Sequence, residues 1–168
     1  MGVETGCGHM EPSIRVFQFW GGLCVAAFCR HHRFGHRFID ELVYHHVELL
    51  RAPDLPAWDI AGARLAITGR GDAPPQEVLG IIPTELGDDF HRLIECATEI
   101  GIVDLYGAAT DHPSRFLLKC LEVLDKHGIP KPREITCPLP AIVGFGEALG
   151  EEAFRNAVGR DSLPGDEE

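Results

Sequence analysis

Five histidines fall between His31 and His46 (His31, His32, His36, His45 and His46), and Asp40, Glu41 and Glu48 stand among them. Imidazole and carboxylate together are the ligand types that hold divalent transition metals. His32, His36 and Asp40 are spaced i, i+4, i+8, so one continuous helix would stack them within about 80° of arc. That trio is the candidate metal set, and it would serve a metal-dependent hydrolase. Two features oppose it: there is no H-E-x-x-H, and Gly35 interrupts the helix that the spacing requires. His46 falls in the middle of an apolar face, where the expectation is a core histidine bonded to a carbonyl.

A second constellation is Glu99, Asp104, Asp111 and His112. Paired carboxylates beside an imidazole can do general acid–base work or bind metal. Here they straddle a helix end and a loop, and Asp111 also suits a helix cap. No nucleophile motif accompanies them: the serines are Ser13, Ser114 and Ser162, and none lies in G-x-S-x-G. Gly144-Phe145-Gly146 lacks the third glycine of a dinucleotide fingerprint, and no P-loop exists. Arg70-Gly71-Asp72 reads as a turn. No cofactor is expected, and catalysis is the lesser reading.

The third feature is charge. Twenty-six acids against fifteen Lys and Arg give a net charge of −11. Such a balance repels phosphate backbones and anionic lipid, which argues against nucleic-acid and membrane partners. It attracts basic proteins instead. Asp88, Glu95 and Glu99 fall within about 40° of one another on one helix, and Glu85, Asp89 and Asp104 extend the patch. A solvated helix face is one reading, and a docking surface for a basic partner is the other, because complementary charge speeds association.

These residues need elements to hold them, and helical periodicity dominates the chain. Around a helix from Ser13 to Arg30 the apolar side chains cover nearly the whole circumference, as in an element central to its domain. A second helix, Arg37 to Arg51, sets Phe38, Ile39, Leu42, Val43, Leu49 and Leu50 on one face. Shorter helices are expected from Ala57 to Thr68 and from Pro74 or Pro75 to Ile82. An amphipathic helix from Asp88 to Ile100 takes Gly101 as its C-cap. Another starts near Pro113, capped by Asp111 or Ser114, and stops at Gly128-Ile129-Pro130. Past Pro132, Pro138 and Pro140 the chain reads as extended, with a last short helix over 147–158.

The expected fold is therefore an all-α, single-domain bundle of about five to seven helices with an irregular Pro-rich C-terminal segment. Its expected boundaries are a loose arm over 1–12, the helical domain over 13–159 and a mobile acidic tail over 160–168. A chain this long buries roughly 70% of its unfolded surface and needs neither metal nor disulfide to fold. Of the six cysteines, Cys24, Cys29, Cys96 and Cys120 lie in apolar helical stretches, Cys7 and Cys137 outside them, and none forms C-x-x-C. A reducing cytoplasm is expected. The apolar run Val16–Cys29 is too short to span a bilayer, and Glu4 and Glu11 stand where a signal peptide would be positive.

Trp58 opens a short helix, Gly71-Asp72 follows among prolines, and an acidic helix leads into Ile102-Val103-Asp104-Leu105-Tyr106-Gly107. A final helix closes at Gly128-Ile129-Pro130. From Phe34 to Pro132 this layout resembles the small helical immunity proteins of bacterial contact-dependent and other polymorphic toxin systems. The resemblance implies an acidic, cytoplasmic, catalytically silent inhibitor that blocks a cognate toxin, often a nuclease. It carries no residue-level motif, so the docking residues rest on charge alone. The other classes left open are the metal-dependent hydrolase and a scaffold domain with no ligand.

Overall fold

The computed structural model describes residues 11–135, 139–140 and 142–159. The expected arm up to residue 10 and the tail from 160 lie outside them, as do Cys7 and Cys137. The elements are α1 (Ile14–His32), α2 (Arg37–Glu48), α3 (Leu55–Ala63), α4 (Gln76–Leu79), α5 (Gly87–Ile102), α6 (His112–Lys126) and α7 (Glu151–Val158), with a 3-10 turn at Thr84–Leu86 before α5. Among the described residues there are seven α-helices and no strand, so the chain is an all-α bundle.

Helix α1 is the axis of the molecule. Ser13 starts it by accepting from the Val16 amide (3.3 Å). Phe17, Phe19 and Phe28 are fully buried along it. Helices α5, α2 and α6 all pack on α1, and α6 also packs on α5. Two adjacent glycines let two neighbours come close: a Cβ on Gly21 would lie 2.7 Å from Ile100 Cδ1 on α5, and one on Gly22 would lie 3.0 Å from His46 Cβ on α2. One apolar cluster runs from Val16 to Val158 and draws on every α-helix except α3, whose Trp58 is buried against α2's side of the bundle. The Trp58 indole N–H donates to the His45 carbonyl (2.9 Å). No helix among the described residues is long and apolar enough to cross a membrane.

Two polar side chains inside the core reach specific backbone carbonyls. Gln18 donates to the Ala97 carbonyl on α5 (2.7 Å). Arg15, also buried, donates to the Leu49 and Ala52 carbonyls (2.7 and 2.8 Å), the acceptors left over after α2 ends. That interaction belongs to an end of α2 at Glu48, three residues short of the expected Arg51, because the backbone tightens into turns bonded to Val47 and Glu48. The extended C-terminal segment is pinned by two backbone bonds, Ile14 N to Gly144 O and Leu149 N to Leu50 O (both 2.8 Å).

Other boundaries move for local reasons. Asp54 accepts from the Ala57 amide (3.0 Å), so α3 begins at Leu55 with Pro56 in its first turn, and it ends at Ala63 rather than Thr68. Gly101 is not a C-cap but lies inside α5, where a Cβ would meet Gln18 Oε1 at 2.5 Å and Trp58 Cη2 at 2.7 Å. Helix α6 stops as expected: Gly128 has φ +66°, and the Ile129 amide reaches back to the Leu124 carbonyl (2.9 Å).

Candidate functional site

Three helix ends meet at one end of the bundle: the C-terminus of α1, the C-terminus of α6 and the N-terminus of α5. Their charges suit their dipoles, with Arg30, His31 and His32 in the last turn of α1, Lys126 in the last turn of α6, and Asp88 and Asp89 in the first turn of α5. At their junction, His127 Nε2 lies 2.7 Å from Asp89 Oδ2, and His127 Nδ1 lies 3.2 Å from His32 Nε2. Lys126 Nζ reaches the same aspartate at 3.0–3.1 Å. Because a carboxylate accepts, Asp89 places a proton of His127 on Nε2, and in the neutral ring this leaves Nδ1 a lone pair aimed at His32. The hydrogen bonds from Lys126 and then His127 hold the Asp89 carboxyl below the usual carboxylate range. Burial first, then the neighbouring His127 and His31, lowers the His32 pKa.

Phe28 packs its ring edge-on against both imidazoles, with centroids 4.6 Å from His32 and 5.1 Å from His127. Phe34 and Phe90 close the apolar wall behind it. The chain leaves α1 through Arg33, a left-handed residue at φ 58°, whose turn brings Phe34 back onto Phe28. A non-glycine residue in that conformation is costly, so the surrounding packing must hold it there.

The metal trio expected from spacing is not brought together. Helix α1 ends at His32 and α2 begins only at Arg37, so the i, i+4, i+8 stack does not form. His36 is the N-cap of α2, its Nδ1 accepting from the Phe38 amide (3.1 Å) while Nε2 lies 3.5 Å from Glu77. Asp40 is on the body of α2, where burial raises its pKa. Among the described residues, no group of three or more His, Cys, Asp or Glu side chains is placed to share a metal ion. His46 is a core histidine, as expected, but its partner is the Thr98 hydroxyl (3.3 Å) and not a carbonyl. Burial, with His45 and Arg70 adding to it, lowers the His46 pKa to about 3. His45 stacks flat on Trp58 with centroids 4.4 Å apart, and burial lowers its pKa to about 4.

The second constellation turns out to be a loop knot. Asp104 is buried and accepts from both the amide and the hydroxyl of Thr110 (2.7 Å each). Asp111 makes no side-chain cap bond; it pairs with Arg115 (2.7 Å), and Ser114 donates to the Asp111 carbonyl (2.9 Å). His112 reaches Asp111 only at 4.0 Å. Arg70 of the RGD turn is drawn inward by Asp59 (2.8 Å), which also accepts from Tyr106 (3.0 Å).

The acidic patch divides. Asp88, Glu95 and Glu85 are exposed and Glu99 is half-buried, and none of the four forms an ion pair among the described residues. Asp89 and Asp104 are committed to internal partners. Two cations border the patch: Lys126 of α6, held by Asp89, and Arg92 of α5, which reaches across to Glu122 (3.7 Å). Sequence reading missed His127 altogether. It stands alone beside a helix stop, and no local spacing connects it to Asp89 or His32.

No protein-family model, curated protein or solved structure matches the chain.

Proposed function

We propose that this chain is a non-catalytic binding protein that neutralises a basic partner, in the manner of a toxin-immunity protein. The observation that carries it is the outer edge of α5: Asp88, Glu95 and Glu99, with Glu85 just before the helix, project unpaired charge opposite the stripe Phe90, Leu93, Ile94 and Ala97 that α5 buries. The net charge of −11 extends the attraction beyond that edge. A toxin domain, for instance a nuclease with a positively charged groove, offers the complementary surface. Asp89 and Asp104 take no part in this docking set, because their carboxylates are held within the fold.

The test is co-expression with a toxin encoded beside this chain. Protection of the cells is expected, together with co-elution of the two proteins at low salt. Glu95→Lys combined with Glu99→Lys should abolish protection while leaving the helical circular dichroism unchanged. Undiminished protection by the double reversal would remove α5 as the docking edge, and failure to bind the toxin at all would remove the inhibitor reading.

A further inference from the structure

The junction of α1, α5 and α6 brings two imidazole nitrogens to within hydrogen-bond distance of each other. His32 Nε2 and His127 Nδ1 are 3.2 Å apart, with ring centroids 4.9 Å apart and planes at 86°. A straight N–H···N bond of that length would hold the two centroids about 5.5 Å apart, since each nitrogen sits about 1.15 Å from its ring centre. If both lone pairs converged on an ion about 2.05 Å from each nitrogen, the centroids would instead be about 5.0 Å apart. The nitrogen separation also suits two corners of a tetrahedral zinc sphere, whose edge is about 3.3 Å. The contact is thus bent, and its centroid separation is close to the one that two rings sharing an ion would show.

A second observation comes from the far side of His127. Its Nε2 donates to Asp89 at 2.7 Å, and Lys126 in turn anchors Asp89. Metal-bound imidazoles almost always donate their other N–H to a carboxylate or carbonyl, which fixes the tautomer and strengthens the ligand. Here the carboxylate and the tautomer are already in place, and Nδ1 is the atom left to coordinate. The Phe28 wall limits rotation of both rings.

We infer that His32 Nε2 and His127 Nδ1 form the protein half of a coordination site for a divalent transition cation of the zinc class, with Asp89 holding His127 from behind. Imidazole nitrogen favours zinc, copper and nickel over magnesium or calcium. Since no third protein ligand converges there among the described residues, the remaining positions go to water or to a group brought by a binding partner. His32 keeps its proton on Nδ1 in the bound form, so that Nε2 presents its lone pair. This site is distinct from the expected His32, His36 and Asp40 trio and independent of the acidic docking edge.

The probe is Zn²⁺ added to the full chain, followed by nitrogen-detected imidazole NMR and calorimetry. One equivalent should shift the ring nitrogens of His32 and His127 together, with those of the other histidines unmoved. His127→Ala and His32→Ala should each lose that binding, His36→Ala should keep it, and Asp89→Asn should weaken it roughly 10- to 100-fold. The NMR readout on the unmodified chain stands even if a variant fails to fold. Movement of only one of the two rings, zinc shifts confined to other histidines, or affinity unchanged by His127→Ala would each overturn the site.

Discussion

Single side chains in this protein are governed by where burial puts them. His46 is fully buried and neutral, and its pKa of about 3 lies below that of an unfolded histidine. The unfolded chain therefore binds the extra proton first as pH falls, so stability is lost from about pH 6.5 downward, toward the folded pKa. His46 should cost about 2 kcal/mol between pH 7 and pH 5, with His45 adding to the same slope. Urea midpoints at the two pH values measure this, and His46→Gln, which carries no titrating group, should flatten the slope. Cys24 and Cys29 are governed the same way. Burial pushes both thiols up to about 12, so a thiol reagent should react first with half-buried Cys96 among the described cysteines. Mass spectrometry after brief alkylation reports the order.

The elements are held by close approaches that a side chain would block. Gly101→Ala would drive a methyl into Gln18 and Trp58, which should cost about 1–3 kcal/mol despite the better helix propensity of alanine. Gly87, at the start of α5, has open space where a Cβ would stand, with nothing within 4 Å, so the same change there should be neutral or stabilise by up to about 1 kcal/mol. Denaturant titration of the two variants should give shifts of opposite or unequal sign. Arg51 adds a polar tie to helix α7: it pairs with Glu48 and Glu151 (2.7 and 2.8 Å) and lies 4.0 Å over the Phe154 ring. Arg51→Ala should speed limited proteolysis within 142–159 while moving the global midpoint little, because exposed ion pairs stabilise by at most about 1 kcal/mol.

For the whole molecule, the governing quantity is charge. At −11 the chain attracts cationic surfaces over a range set by salt, and the Debye length falls from about 10 Å at 0.1 M to about 3 Å at 1 M. Association with a basic partner should therefore slow steeply as salt is raised roughly tenfold from low ionic strength, with dissociation much less affected. Stopped-flow or surface-binding kinetics separate the two rates. A complex insensitive to salt would rest on apolar contacts and not on the α5 edge.

Sequence alone determined the helices and their faces. Polar and apolar residues at helical spacing, proline and glycine stops and capping side chains are local signals, and α1, α2, α5 and α6 followed from them within a few residues. It also showed that α1 would be central, because no face of it was left for solvent. Cap details were less legible: Gly101 reads as a stop in one dimension but is a contact point in three. Only the tertiary structure decided the histidines. The spacing of His32, His36 and Asp40 required an unbroken helix, and the left-handed turn at Arg33 ended it. Packing of α1, α5 and α6 then brought His32, Asp89 and His127 together from helix ends far apart along the chain. The same packing divided the acidic set, since a carboxylate facing a neighbouring helix end becomes an internal partner while one a turn away stays in water. Long-range contact of this kind depends on how faces meet, and no local pattern encodes it.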